Sequence, residues 1–221
     1  MASANAIIFD LDGLLFDTDW LWAESERRVF SSLGATVTPD HQQQTAHLGT
    51  TLATRYWYDT FSLDQQKTPI EKAEAMVVKQ VKEEIWRVAT LLGGRELIQQ
   101  ALTLRTPIGL ASNAPLSICH QALDLHNWTE HFSTITSAEE VLNPKPSPDV
   151  YRLAAERLGV SPSRCMAVED SLSGAEAASL AGMSVTLVST DLRMEEGSPG
   201  IRSARSLKDI DLQRWLNELP N

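Results

Sequence analysis

The chain is short of cysteine, of positive charge and of long apolar runs, and each shortage bears on function. Two cysteines in 221 residues, Cys119 and Cys165, show no metal-ligand spacing, and nothing around them calls for a disulfide. Two reduced, structural thiols in a cytoplasmic protein are therefore expected. Lys and Arg number 19 against 29 Asp and Glu, a formal charge of −10. That balance argues against nucleic acid as a partner, because a phosphate backbone demands clustered basic side chains. No apolar stretch approaches the ~20 residues of a membrane span. Met1-Ala2-Ser3-Ala4-Asn5 lacks a basic segment followed by an apolar one, so neither a signal peptide nor a membrane partner is expected. There is no internal repeat and no low-complexity tract.

What is present suits a globular fold, with 43% hydrophobic and 22% charged residues. The length fits one large domain, or a core carrying a smaller insert. Ala6-Ile7-Ile8-Phe9 is a short β-rich run that ends in two aspartates and Gly13. Helical patterns follow over residues 20–33, 50–61 and 69–88. After Gly93-Gly94 the texture changes, and helix alternates with strand: helices over 95–104, 115–125, 148–158 and 173–181, strands over 107–111, 132–136, 165–168 and 184–188. Alternation predicts a parallel sheet with helices on both faces, an α/β fold. Residues 16–91 contain no convincing strand and interrupt the pattern. They predict an all-helical cap domain inserted into a core made of 1–15 and 92–221. Residues 190–200, with two glycines and a proline, predict a surface loop.

Polar residues collect at the carboxyl ends of the predicted strands, where open parallel sheets bind ligands. Strand one ends in Asp10-Leu11-Asp12, strand two in Ser112-Asn113, strand four in Glu169-Asp170, and Lys145 follows strand three. Taken singly these are ordinary features: a loop acid, a helix N-cap, a surface lysine, a turn. Taken together they form a kit. Four carboxylates at close quarters repel one another, and a divalent cation resolves the conflict. Oxygen ligands without His or Cys suit Mg²⁺ rather than Zn²⁺. Mg²⁺, a lysine and hydroxyl or amide donors hold a phosphoryl group. An aspartate there can attack phosphorus, and a second carboxylate can protonate the leaving oxygen and then activate water. A small phosphorylated metabolite needs only such a local positive site, whatever the net charge.

The same residues resemble a known family. Phe9-Asp10-Leu11-Asp12-Gly13, Ala111-Ser112-Asn113-Ala114, Lys145-Pro146-Ser147-Pro148-Asp149-Val150-Tyr151 and Val168-Glu169-Asp170-Ser171 resemble, in order, the four motifs of the haloacid dehalogenase superfamily. The helical insert is similar to the cap of its β-phosphoglucomutase and sugar-phosphate phosphatase subgroup. Leu21-Trp22 and Tyr56-Trp57-Tyr58 look most like the 2-deoxyglucose-6-phosphate phosphatase group. The resemblance implies a Rossmann-like core of strand order 3-2-1-4-5. It implies Asp10 as nucleophile and Mg²⁺ ligand, and Asp12 as acid/base offering its main-chain carbonyl to the metal. Ser112 and Asn113 would bind phosphoryl oxygens, and Lys145 would neutralise charge. Asp170 would ligate Mg²⁺, with Glu169 as ligand or as its neighbour. The implied reaction is hydrolysis of small phosphate monoesters, sugar phosphates foremost, through an aspartyl phosphate, by a monomer or weak dimer. Asp12 favours phosphate esters, since a halide leaving group needs no proton.

Two departures bear on this reading. Many relatives carry a proline before the glycine where the chain re-enters the core; here Leu92 precedes Gly93. Mutases of the family have a cap arginine shortly after the glycine matching Gly49; here Thr50 and Thr51 stand there, with Arg55 the nearest arginine. That favours hydrolysis over a mutase, unless one helical turn of displacement restores the contact. Trp20 and Trp22 are the cap tryptophans best placed to wall a sugar ring, while His41 and His47 receive no role. A phospho-acceptor signalling module would share the acidic pocket and the lysine, but not the helical insert.

Overall fold

Ala6-Ile7-Ile8-Phe9 offers no polar side chain to water, and it forms an inner strand of a parallel sheet. The computed structural model describes residues 5–46, 48–189 and 201–218. Its strands are β1 (Ala6–Phe9), β2 (Ile108–Ser112), β3 (Thr134–Ser137), β4 (Cys165–Glu169), β5 (Ser184–Val188) and β6 (Ile201–Ala204). They lie in the order β3-β2-β1-β4-β5-β6, and every pairing is parallel. The expected order 3-2-1-4-5 is thus present, extended at one edge. The added strand Ile-Arg-Ser-Ala exposes Arg202 and Ser203. An edge strand of that composition has no apolar run to announce it. The loop expected over 190–200 lies outside the described residues.

Between β1 and β2 the chain is helical: α1 (Asp19–Ser32), α2 (Pro39–Thr45), α3 (Thr50–Phe61) and α4 (Ile70–Glu84), with a 3₁₀ turn over Ile85–Arg87. The spacing of Ala73, Val77, Val81 and Ile85 puts four buried side chains on one stripe, packed in a cluster with Leu21, Val29 and Phe30 of α1. Trp57 of α3 is fully buried there, its ring 5.7 Å from Phe30 and 5.9 Å from Phe61. Helix α2 has no apolar periodicity. It begins on a capping box between Thr38 and His41, with Pro39 in the first turn.

Helices α5 (Gly94–Thr103), α6 (Leu116–Leu125), α7 (Asp149–Leu158), α8 (Leu172–Leu180) and α9 (Leu212–Glu218) complete the chain. Side chains of β1 alternate between two cores. Ile7 and Phe9 join Leu97, Ile118 and Trp215, whereas Ala6 and Ile8 join Tyr151 and the alanines Ala154, Ala175, Ala177 and Ala178. Both faces are therefore covered, as a parallel sheet requires. Where the helical segment leaves and re-enters the sheet, the two crossings are tied together. Leu91 N donates to Leu15 O at 2.9 Å, and Asp17 N donates to Ala89 O at 3.0 Å. Among the described residues no helix is long and apolar enough to cross a membrane.

Candidate active site

The register of the sheet gathers the motif residues. Phe9 stands level with Leu110 of β2 and Val168 of β4. The next residue on each strand, Asp10 and Glu169 among them, therefore emerges at the carboxyl edge together. Asp10 N extends the ladder by donating to Val168 O at 3.1 Å. The Lys145 ammonium reaches from the loop after β3 and donates to Asp10 Oδ1 at 2.6 Å and Glu169 Oε1 at 2.5 Å. Tyr151 of α7 donates its hydroxyl to the same Glu169 oxygen at 2.5 Å, and its ring lies 4.9 Å below the ammonium. Asp10, Lys145 and Glu169 are all buried. Carboxylate oxygens of Asp10, Glu169 and Asp170 lie within 4.8 Å of one another.

Two glycines create room for these acids. A Cβ on Gly13, whose φ is +71°, would lie 2.2 Å from Asp170 Oδ2. A Cβ on Gly174 would lie 2.1 Å from the Glu169 carboxylate, so the first turn of α8 can rest on that acid only as glycine.

Charge is unbalanced in this cluster. Burial pushes Asp10 up to about 8, against the pull of Lys145. Burial likewise lifts Asp170 to about 9, helped by the neighbouring charges of Asp10 and Glu169. Burial opposes the Lys145 ammonium, but Asp10 and Glu169 outweigh it and raise Lys145 above its ordinary value. Acids held this far above the carboxylate range, in an all-oxygen cluster, fit a hard divalent cation. Glu169 has little left to offer one: Oε1 serves Lys145 and Tyr151, and Oε2 accepts from Ser171 Oγ at 3.3 Å.

Asp12 is tied to the helical segment. Its carboxylate is outside the acidic group and accepts at Oδ1 from Trp22 Nε1 of α1 at 2.9 Å. Burial raises this acid, and hydrogen bonds from Thr18 and Trp22 hold it back. Ser112 is buried at the end of β2, its Oγ accepting from Ala114 N at 3.0 Å. Asn113 is tied to the loop that carries Lys145. Its side chain clips the Lys145 main chain, with Oδ1 accepting from Lys145 N at 3.0 Å and Nδ2 donating to Lys145 O at 3.4 Å.

A cavity of about 380 Å³ opens over this edge, enough for a small ligand. Its floor includes Asp10, Asp12, Ser112, Lys145 and Asp170, and its roof is the helical segment, through Trp22, Glu26, Gln42, Thr45 and Thr50. Haloacid dehalogenase-like hydrolases match residues 7–188 of the chain. The chain belongs to that family. Hexitol phosphatase B of Escherichia coli K12 is 32% identical over 181 residues, 80% of each chain. A phosphorylated carbohydrates phosphatase of Thermotoga maritima is 32% identical over 184 residues, 81% of this chain and 82% of its own. The crystal structure of CbbY from Rhodobacter sphaeroides in complex with phosphate superposes with a TM-score of 0.80 at 26% identity, covering 93% of this chain and 96% of that one.

All seven motif residues of this hydrolase thus meet at one edge. Two partners, Tyr151 and Glu26, have no role assigned from sequence. Tyr151 sat within the quoted third motif, so its signal was there. Trp22, expected beside a sugar ring, lines the cavity and also donates to Asp12. Glu26 stands between Trp22 and Phe30 at helical spacing, and an acid in the buried stripe of α1 was the sign that could have found it. Trp20 does not line the cavity; Arg87 lies over its ring at 5.0 Å. Arg55 is exposed and does not line it either, so the displacement that would restore a mutase arginine is not seen.

Proposed function

We propose that this hydrolase is a Mg²⁺-dependent phosphatase of small phosphate monoesters, sugar phosphates foremost, with residues 16–91 acting as a cap over a core of 1–15 and 92–221. The observation that carries the reading is the Lys145 bridge between Asp10 and Glu169, beside Asp170 and below an Asp12 whose carboxylate is held toward the cap. The similarity to curated carbohydrate phosphatases supports it. Asp10, Asp170 and the Asp12 carbonyl would hold Mg²⁺, which supplies charge neutralisation for the phosphoryl oxygens when bound.

The chain's own groups account for the proton and bond changes. An Asp10 carboxylate oxygen attacks phosphorus as the bond to the leaving oxygen breaks, and Asp12 gives that oxygen its proton. A water molecule then attacks the aspartyl phosphate, Asp12 takes the water proton, and Asp10 and inorganic phosphate are released. Lys145 offsets negative charge throughout, with Asn113 fixing its main chain and Tyr151 its ammonium. Ser112 would donate to a phosphoryl oxygen. Hydrolysis is favoured over a mutase because Lys145 is the one cation among the described residues lining the cavity, and it is already paired. A distal phosphate finds no counter-charge there. The test is phosphate release from a panel of sugar phosphates, polyol phosphates and acetyl phosphate, with and without Mg²⁺. Metal-dependent turnover is expected; no release from any ester with metal present overturns the reading.

A further inference from the structure

Glu26 is a buried acid that the proposed chemistry does not use. It is 8% exposed, one helical turn from both Trp22 and Phe30 on the inner stripe of α1. Trp57 Nε1 donates to it at 3.0 Å and Thr45 Oγ1 at 3.2 Å, and both bonds go to the same oxygen, Oε2. Oε1 accepts no hydrogen bond from the described residues, and it is not among the sealed, unpartnered atoms. Glu26 lines the cavity over Asp10 and Asp12. Anchoring Trp57 does not require a charge, since a hydroxyl or amide accepts from an indole with a smaller desolvation cost. Burial pushes Glu26 up to about 7, against the hydrogen bonds from Trp57 and Thr45.

The rest of the roof is part apolar, through Trp22, Ala23, Pro39 and Leu48, and part polar. Gln42, Thr45 and Thr50 are neutral and polar, Asp19 is acidic, and no Lys or Arg of the described residues joins them. Resting on the phosphatase reading, we propose that Glu26 is a specificity-determining residue: Oε1 accepts a hydrogen bond from a hydroxyl of the leaving group. The site thereby selects uncharged polyhydroxylated monophosphates and disfavours esters bearing a second anionic group. A buried acceptor left unpaired by an analogue lacking the hydroxyl is what makes such selection steep.

The experiment compares kcat/KM for glucitol 6-phosphate, fructose 1,6-bisphosphate and acetyl phosphate, whose leaving group carries no hydroxyl. Wild type, Glu26→Ala and Glu26→Gln are measured, each checked by thermal melting. The glucitol 6-phosphate to acetyl phosphate ratio is expected to fall about 10- to 100-fold in Glu26→Ala, the range of a hydrogen bond to a charged group. It should fall less in Glu26→Gln, whose oxygen still serves Trp57 while its amide faces the cavity. The preference for glucitol 6-phosphate over the bisphosphate should narrow in both. Unchanged ratios in the folded Gln variant overturn the proposal. Calorimetric titration of glucitol 6-phosphate with Mg²⁺ into Asp10→Asn, with and without Glu26→Ala, separates the two readings. If wild type releases no phosphate even from acetyl phosphate, the phosphatase reading falls. The titration still decides Glu26: a Kd weakened about tenfold or more supports its role, while an equal Kd or no binding overturns it.

Discussion

The floor and the roof of the cavity are built by opposite rules. On the floor charged groups are set against one another: Lys145 spans Asp10 and Glu169, Tyr151 backs Glu169, and Asn113 pins the lysine's main chain. In the roof, Trp22 and Glu26 hang from helices that are held mainly by apolar packing around Phe30, Trp57 and Val77. The floor offers a phosphoryl group a preorganised electrostatic environment, worth most where water is excluded. The roof offers surfaces and single acceptors, which sort leaving groups. On the proposed reading chemistry and selection are carried by different elements, and substitutions in the two places should fail differently.

Asp10→Asn in the floor should have the largest effect, a loss of roughly 10⁴-fold or more in kcat, read by phosphate release. A comparable loss from a roof substitution that leaves KM unchanged would break the division. Lys145→Met comes next. It leaves Asp10 and Glu169 buried without their cation, and denaturant unfolding should show a loss of about 3–5 kcal/mol, together with lost turnover.

Metal and pH then sharpen the picture of the floor. Burial raises Asp10 to about 8 and Asp170 to about 9 in the folded chain, above the ordinary carboxyl value of 3.8. The folded chain therefore binds more protons between those values, and metal-free stability falls as pH rises from about 4 to 9. Mg²⁺ should flatten that slope, as measured by melting temperature in chelator against excess metal. The smallest effect belongs to the contact between the two regions. Trp22→Phe keeps a ring but removes the donor to Asp12, so kcat on alkyl phosphates should fall about tenfold, in line with one charge-assisted hydrogen bond. Aryl phosphates, whose leaving groups need little protonation, should lose less.

The floor was legible in the sequence because its residues follow short apolar strands, and a parallel sheet brings strand ends together whatever else the chain does. Asp10, Ser112 and Glu169 could be placed from that rule. Lys145 could be linked to them by residue chemistry, but not its bond to Glu169. The roof was hidden for a physical reason. Which side chain of α1 looks into the cavity depends on how α1 meets α3 and α4, and helix packing is not encoded in a local pattern. Trp22 was noticed as an aromatic and Glu26 passed unnoticed, although their partners, Asp12 and Trp57, lie 10 and 31 residues away. Asn113 illustrates the limit from the other side. It stands just past the end of its strand, and its side chain bonds the Lys145 main chain, a tertiary contact that spacing does not reveal. Strand β6 and helix α2 were missed because neither carries the apolar period of its kind.

The paired crossings at Leu15–Leu91 and Asp17–Ala89 have a thermodynamic consequence for the history of such a chain. The ends of the helical segment are held side by side by the core. The segment therefore behaves as a long loop whose closure has already been made. Doubling the length of a closed loop adds only about 0.6 kcal/mol of entropic cost. Helices can be lengthened, shortened or exchanged between those two hydrogen bonds at small cost to the sheet, so a lineage can try new roofs over an unaltered floor.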